Sequence, residues 1–180
     1  MRLLDPSIMR YILSGKAWKV GAGDIENEAG EAVGSVKRKL LLMRTEIQVL
    51  DTDSSVLCAV HRKTTGLNPV YDVTDAAGRQ LGRAKRTAGG FKDFMRMYST
   101  DNEELLRATG NAVRWEFVIS NPRRGGGDCA TITKAGCWER MSHLGPGFVE
   151  TYVIDIEDPE MDRLLLLAYA IVVSDASLNV

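Results

Sequence analysis

The sequence predicts a mainly β fold: a closed antiparallel barrel built from repeated hairpins and enclosing an apolar C-terminal α-helix. Three observations carry this reading. The chain lines up with itself, without a gap, in rows of twenty-four residues. Apolar and polar residues alternate at period two within each row, and residues 164–173 form a run with no polar face. A fixed period of this size marks one supersecondary unit used repeatedly, so it decides the fold before any single residue does.

Two columns define the repeat. Gly30, Ser54, Gly78, Asn102 and Gly126 are turn formers, and six residues later stand the small or apolar Val36, Val60, Ala84, Ala108 and Ile132. The unit between successive turns is a β-hairpin. In the third row, residues 70–74 alternate, Asp75-Ala-Ala-Gly78 turns the chain, and residues 79–86 lead out. Aspartate at the start of such a turn bonds its own backbone, and glycine accepts positive φ. Five units give ten strands, and residues 148–156 read as an eleventh. Residues 10–18 stay open as a further strand. The register follows from the first column: Val36, Val60, Ala84, Ala108 and Ile132 face the core, while Lys37, His61, Lys85 and Thr133 face solvent.

The C-terminus departs from the hairpin pattern. Asp158-Pro159-Glu160 combines an N-cap residue, a proline at the first helical position and an acid in the first turn, which predicts a helix start. The run that follows, Leu-Leu-Leu-Leu-Ala-Tyr-Ala-Ile-Val-Val, must be covered on every side. As a helix these residues span about 15 Å, half of a bilayer's ~30 Å hydrocarbon core, so no membrane span is expected. A helix threaded through a closed sheet satisfies the pattern: closure removes strand edges, and inward side chains supply the apolar wall. Leu165, Leu166, Ala168, Tyr169, Ile171 and Val172 are therefore expected to be buried.

A chain of 180 residues buries a sizeable core without disulfides or metals, and a single domain over 1–180 is expected. Cys58, Cys129 and Cys137 are odd in number and lack zinc-ligand spacing, as expected for reduced thiols in the cytoplasm. The first residues lack the apolar run of a secretory signal, so secretion is not expected. Total charge is nearly balanced, with 23 Lys and Arg against 24 Asp and Glu. Its distribution is not: residues 31–96 hold twelve basic and seven acidic groups, and residues 139–180 hold two and eight. Part of the molecule is thus suited to anionic partners.

Catalytic chemistry finds little support. His61 and His143 are the two histidines, and His61 shares its column with Lys and Thr. The HExxH, Walker and GxSxG patterns are absent, so no catalytic residue and no cofactor is assigned. Asp51, Asp53 and Ser55 have the spacing that opens a calcium loop, but Val56 and Arg62 replace its glycine and its glutamate; no metal site is expected. Arg123-Arg124 beside three glycines, without interleaved aromatics, does not favour nucleic acid.

The arginine column points elsewhere. Arg38, Arg62 and Arg86 stand two residues beyond the core positions, where they are expected to leave the core at the barrel rim beside Lys37, His61 and Lys85. Lys39, Lys63 and Arg83 extend the zone. Guanidinium groups bind phosphate bidentately and lysines add point charge, so this set is the candidate lipid or anion site. The competing reading gives these bases the bland role of blunting strand ends.

Asp75-Ala-Ala-Gly78 followed by Leu-Gly-Arg-Ala-Lys-Arg86, together with Ile132-Thr-Lys134, Glu150-Thr-Tyr-Val-Ile-Asp-Ile156 and the terminal helix with Asp175 near its end, resembles the LURP-one-related and phospholipid-scramblase-related families of the tubby C-terminal-like superfamily. The resemblance spans nearly the whole chain. It implies a barrel of about twelve strands around its C-terminal helix. For function it implies a non-enzymatic, peripheral membrane-associated module that binds anionic phospholipid or phosphoinositide headgroups. The alternative is a soluble scaffold with a protein partner and no lipid site. The proline-rich extension and cysteine-rich stretch of animal scramblases have no counterpart, which argues against lipid flipping itself.

Overall fold

The computed structural model describes residues 2–14, 22–41, 44–65, 68–87, 93–111, 115–135 and 151–177. They form twelve strands: β1 (Arg10–Ser14), β2 (Ala22–Asn27), β3 (Ala32–Leu41), β4 (Arg44–Asp51), β5 (Val56–Thr65), β6 (Asn68–Asp75), β7 (Gln80–Arg86), β8 (Asp93–Tyr98), β9 (Glu104–Asn111), β10 (Glu116–Ser120), β11 (Asp128–Ala135) and β12 (Thr151–Ile156). A 3-10 turn, Pro122–Arg124, precedes β11, and helix α1 covers Arg163–Ser177. Each strand pairs antiparallel with its neighbours in sequence, and β12 returns to β1 and closes the barrel. Residues 10–14 thus supply the strand left open by the sequence, and 151–156 the one expected over 148–156; the remaining residues of those two spans lie outside the described set.

The repeat has a stereochemical cause. Gly30, Ser54, Gly78, Asn102 and Gly126 all have positive φ, between 62° and 80°. In the first four units the same two bonds close a three-residue loop. The N–H of Gly30, Ser54, Gly78 and Asn102 donates to the carbonyl three residues earlier, and Asn27, Asp51, Asp75 and Ser99 each donate to the carbonyl four residues later. This is a type I turn followed by a left-handed residue, which forces a bulge into the hairpin. The register shifts recur accordingly at Ile25/Glu26, Val49/Leu50, Val73/Thr74 and Met97/Tyr98. In the fifth unit the 3-10 turn intervenes and the shift moves to Ile119/Ser120.

The predicted register holds. Val36, Val60, Ala84, Ala108 and Ile132 are buried, whereas Lys37 and Lys85 are exposed and His61 and Thr133 half-exposed. The barrel interior is filled by α1, whose Leu166, Leu167, Tyr169, Ile171, Val172 and Val173 are shielded from solvent. Tyr169 donates from its hydroxyl to the Met95 carbonyl at 2.6 Å, tying helix to wall.

Two details of the helix differ from the sequence reading. It begins at Arg163, not at Asp158-Pro159. Asp158 closes a turn, its carboxylate accepting from Glu160 N–H and its carbonyl from Met161 N–H, while Asp162 accepts from Leu165 N–H and caps the helix. Any Asp caps the first free N–H groups it meets, so Asp158, four residues ahead of Asp162, is spent on the turn. Leu165 is half-buried, because it lies in the first turn near the barrel mouth.

Candidate functional site

Strand alternation sends Arg38 and Arg62 into the barrel with the core residues two positions before them. They do not leave at the rim as expected. Their terminal nitrogens reach the two oxygens of Asp175 on α1, at 3.0 and 3.4 Å, and Tyr71 donates its hydroxyl to Asp175 at 2.9 Å. Asp175 is 1 % exposed, so the apolar helix carries a buried carboxylate that requires cations from the wall. Burial, reinforced by the adjoining carboxylate, pushes the Tyr71 hydroxyl well above its usual range. Arg86 lies 5.3 Å over the Phe94 ring, and Lys134 lies 4.8 Å over Trp115. Gly110, twenty-four residues after Arg86, stands where the repeat would set the next arginine, and a Cβ there would run into the Glu116 carbonyl.

The other predicted bases sit on the outer wall, Lys37 opposite Gln48 and the rest in two cross-strand rows. One row runs Lys39, Glu46, His61, Asp72, Arg83, Tyr98, Glu104 across β3 to β9. The next runs Lys63, Val70, Lys85, Arg96, Arg107 across β5 to β9. Each carboxylate of the first row draws in two bases. Glu46 lies 3.8 Å from Lys39 and 3.7 Å from His61, Asp72 lies 2.6 Å from both Lys63 and Arg83, and Glu104 lies 3.8 Å from Arg96 and 2.7 Å from Arg107. Partial burial raises the Asp72 carboxyl, but hydrogen bonds from Arg83 and Lys63 outweigh it and hold the group below its ordinary range. Lys85 packs 4.8 Å over the Tyr98 ring. Among the described residues no carboxylate comes within 4 Å of the Lys37 or Lys85 amine.

The structure therefore brings Lys37, Lys39, Lys63, Arg83 and Lys85 onto one face and places Arg38 and Arg62 inside. Arg96 and Arg107, which the sequence reading missed, complete the face. Arg96 pairs directly with Lys85 and Arg107 with Arg96, and the twenty-four-residue repeat, which sets them in the columns of Asp72 and Arg83, is the signal that could have found them.

Other reactive groups are committed or inert. Arg123 pairs with Glu103, and Arg124 reaches Asp158 and Glu160 at 3.0 and 3.2 Å. Cys58 and Cys129 are free and buried, and burial pushes their thiols up to about 12 and about 11, far from the thiolate that nucleophilic chemistry needs. Cys137 and His143 lie outside the described residues. Among the described residues no group of three or more His, Cys, Asp or Glu could hold a metal, and no helix is long and apolar enough to cross a membrane.

A closed twelve-stranded meander around a central helix, its outer wall charged and its inner wall apolar, defines the class of protein. The sequence profile of the LURP-one-related family matches residues 9–175, and the chain belongs to that family. A search of curated proteins gives no match. Among solved structures, the X-ray structure of a protein from Arabidopsis thaliana has the same fold, with a TM-score of 0.65 and 14 % identity over 99 % of this chain and 98 % of that one.

Proposed function

We propose that this protein is a non-enzymatic module that binds anionic phospholipid headgroups at a membrane surface through the outer face of β3 to β9. One observation carries the reading: among the described residues that face holds seven cations, Lys37, Lys39, Lys63, Arg83, Lys85, Arg96 and Arg107, against the three carboxylates Glu46, Asp72 and Glu104. The resemblance to tubby-like and scramblase-related domains supports the same class of ligand, phosphoinositides included. Arg38 and Arg62 are not part of the contact set, because both are engaged with Asp175.

Each net positive charge near an anionic surface contributes about 1 kcal/mol, so an excess of four gives reversible, roughly millimolar association and no permanent anchoring. Vesicle flotation at millimolar lipid tests this. Acidic vesicles should carry the protein at low salt and neutral phosphatidylcholine vesicles should not, with binding lost as the Debye length shrinks from about 10 Å at 0.1 M to about 3 Å at 1 M. A soluble scaffold without a lipid site would stay unbound at every salt concentration, and that result would overturn the proposal.

A further inference from the structure

We infer that the basic face contains a seat for a single phosphate monoester, floored by Val70 and walled by Lys63, Lys85 and Arg83. Val70 on β6 stands directly opposite Lys63 on β5 and Lys85 on β7, so a cation flanks it on each side at the ~4.8 Å spacing of neighbouring strands. Arg83 precedes Lys85 by two residues on the same face of β7. The Val70 side chain offers neither a donor nor an acceptor, which leaves a small apolar floor ringed by three positive groups.

The charges around the floor are unequal in number. Asp72, two residues beyond Val70, accepts from Lys63 Nζ and from Arg83 Nε, both at 2.6 Å. One carboxylate thus answers two cations. Arg83 keeps its terminal amino groups for another acceptor, on a side chain that is 51 % exposed. Lys85 has the Tyr98 ring as its neighbour and, among the described residues, no carboxylate within salt-bridge reach. Arg96, directly across from Lys85 on β8, adds a like charge to the same face while sharing Glu104 with Arg107. Three cations with one acid leave an excess of two. A phosphate monoester carries about −1.5 to −2 at neutral pH and presents three acceptor oxygens, which matches that excess; a phosphodiester carries one charge and does not.

The inference rests on the headgroup reading and commits to a monoester displayed on a bilayer. The test compares phosphatidylcholine vesicles doped with phosphatidic acid, a monoester, against vesicles doped with twice as much phosphatidylglycerol, a diester, so that surface charge is matched. The full chain should bind the phosphatidic acid vesicles roughly fivefold more tightly, the factor that one further unit of charge on the headgroup held in the seat supplies. Val70→Glu puts a carboxylate of the chain's own into the seat, and Lys63→Gln with Lys85→Gln empties its walls; both variants should lose the preference while keeping the parent's circular dichroism. Lys37→Gln with Lys39→Gln, away from the seat, should weaken binding to both vesicles alike and keep the ratio. Equal binding of the parent to the two vesicles, or a preference that survives Val70→Glu in a folded variant, overturns the seat alone. Failure to bind either vesicle overturns the headgroup reading and the seat with it.

Discussion

Asp175 shows how much one residue decides. In a helix whose one other charge is Arg163 at its first residue, the Asp175 carboxylate is carried into the interior, where an uncompensated ion is not tolerated, and the wall supplies two arginines and a tyrosine hydroxyl. The long stems of Arg38 and Arg62 pack along apolar surface while their heads meet the acid, so alternation and charge agree on the inward direction. Asp175→Asn keeps the shape but removes the compensating charge. It should cost about 3–5 kcal/mol, the usual penalty for breaking a buried ion pair from one side, measured by denaturant unfolding. Tyr71→Phe removes one hydrogen bond to a charged group and should cost less, about 1.5–3 kcal/mol. If Asp175→Asn proved no more damaging than Tyr71→Phe, the two arginines would not depend on the carboxylate.

At the scale of the element, the hairpin turns made the fold legible. A left-handed residue at a fixed offset restricts the choice to Gly, Asn and a few others, and that restriction surfaces in the sequence as a column. Ser54 is the least suited member, with φ 67°. Ser54→Gly should therefore stabilise the protein by up to about 1 kcal/mol, and Gly78→Ala, at φ 80°, should destabilise it by about the same amount. Equal signs for the two changes, read from thermal melts, would contradict the shared turn geometry. What stayed illegible depends on partners remote in sequence. Asp158 and Asp162 are equivalent as candidate caps until the turn claims the first, and the parity of Arg38 did not reveal its destination because Asp175 lies far along the chain. Arg96 and Arg107 join the basic face by pairing with Lys85 and with each other, whereas the bulge at Met97/Tyr98 sets Glu104 and Arg107, three residues apart, on the same face.

For the molecule as a whole, closure makes the wall and the helix one cooperative unit. No strand of the described barrel has a free edge, and the inward side chains of the twelve strands share one core with α1. A defect in the helix is therefore a defect in every hairpin. Leu166 is fully enclosed, whereas Leu165, its neighbour in the first turn, is half-buried. Leu166→Asp places a charge with no designed partner in the packed interior, at a cost of several kcal/mol against the roughly 5–15 kcal/mol that holds a domain of ordinary stability together. It also removes the roughly 1.5–3 kcal/mol gained by burying the leucine. Leu165→Asp can keep its carboxylate near solvent and beside the positive end of the helix dipole, which favours an acid by about 0.3–1 kcal/mol. Leu166→Asp should leave the chain without fixed tertiary structure, seen as a lost near-ultraviolet dichroism signal and no cooperative melt, while Leu165→Asp should melt cooperatively at a modestly lower temperature. Equal tolerance of the two changes would mean that the helix is not enclosed by the sheet, because only enclosure distinguishes two adjacent leucines in an all-apolar run.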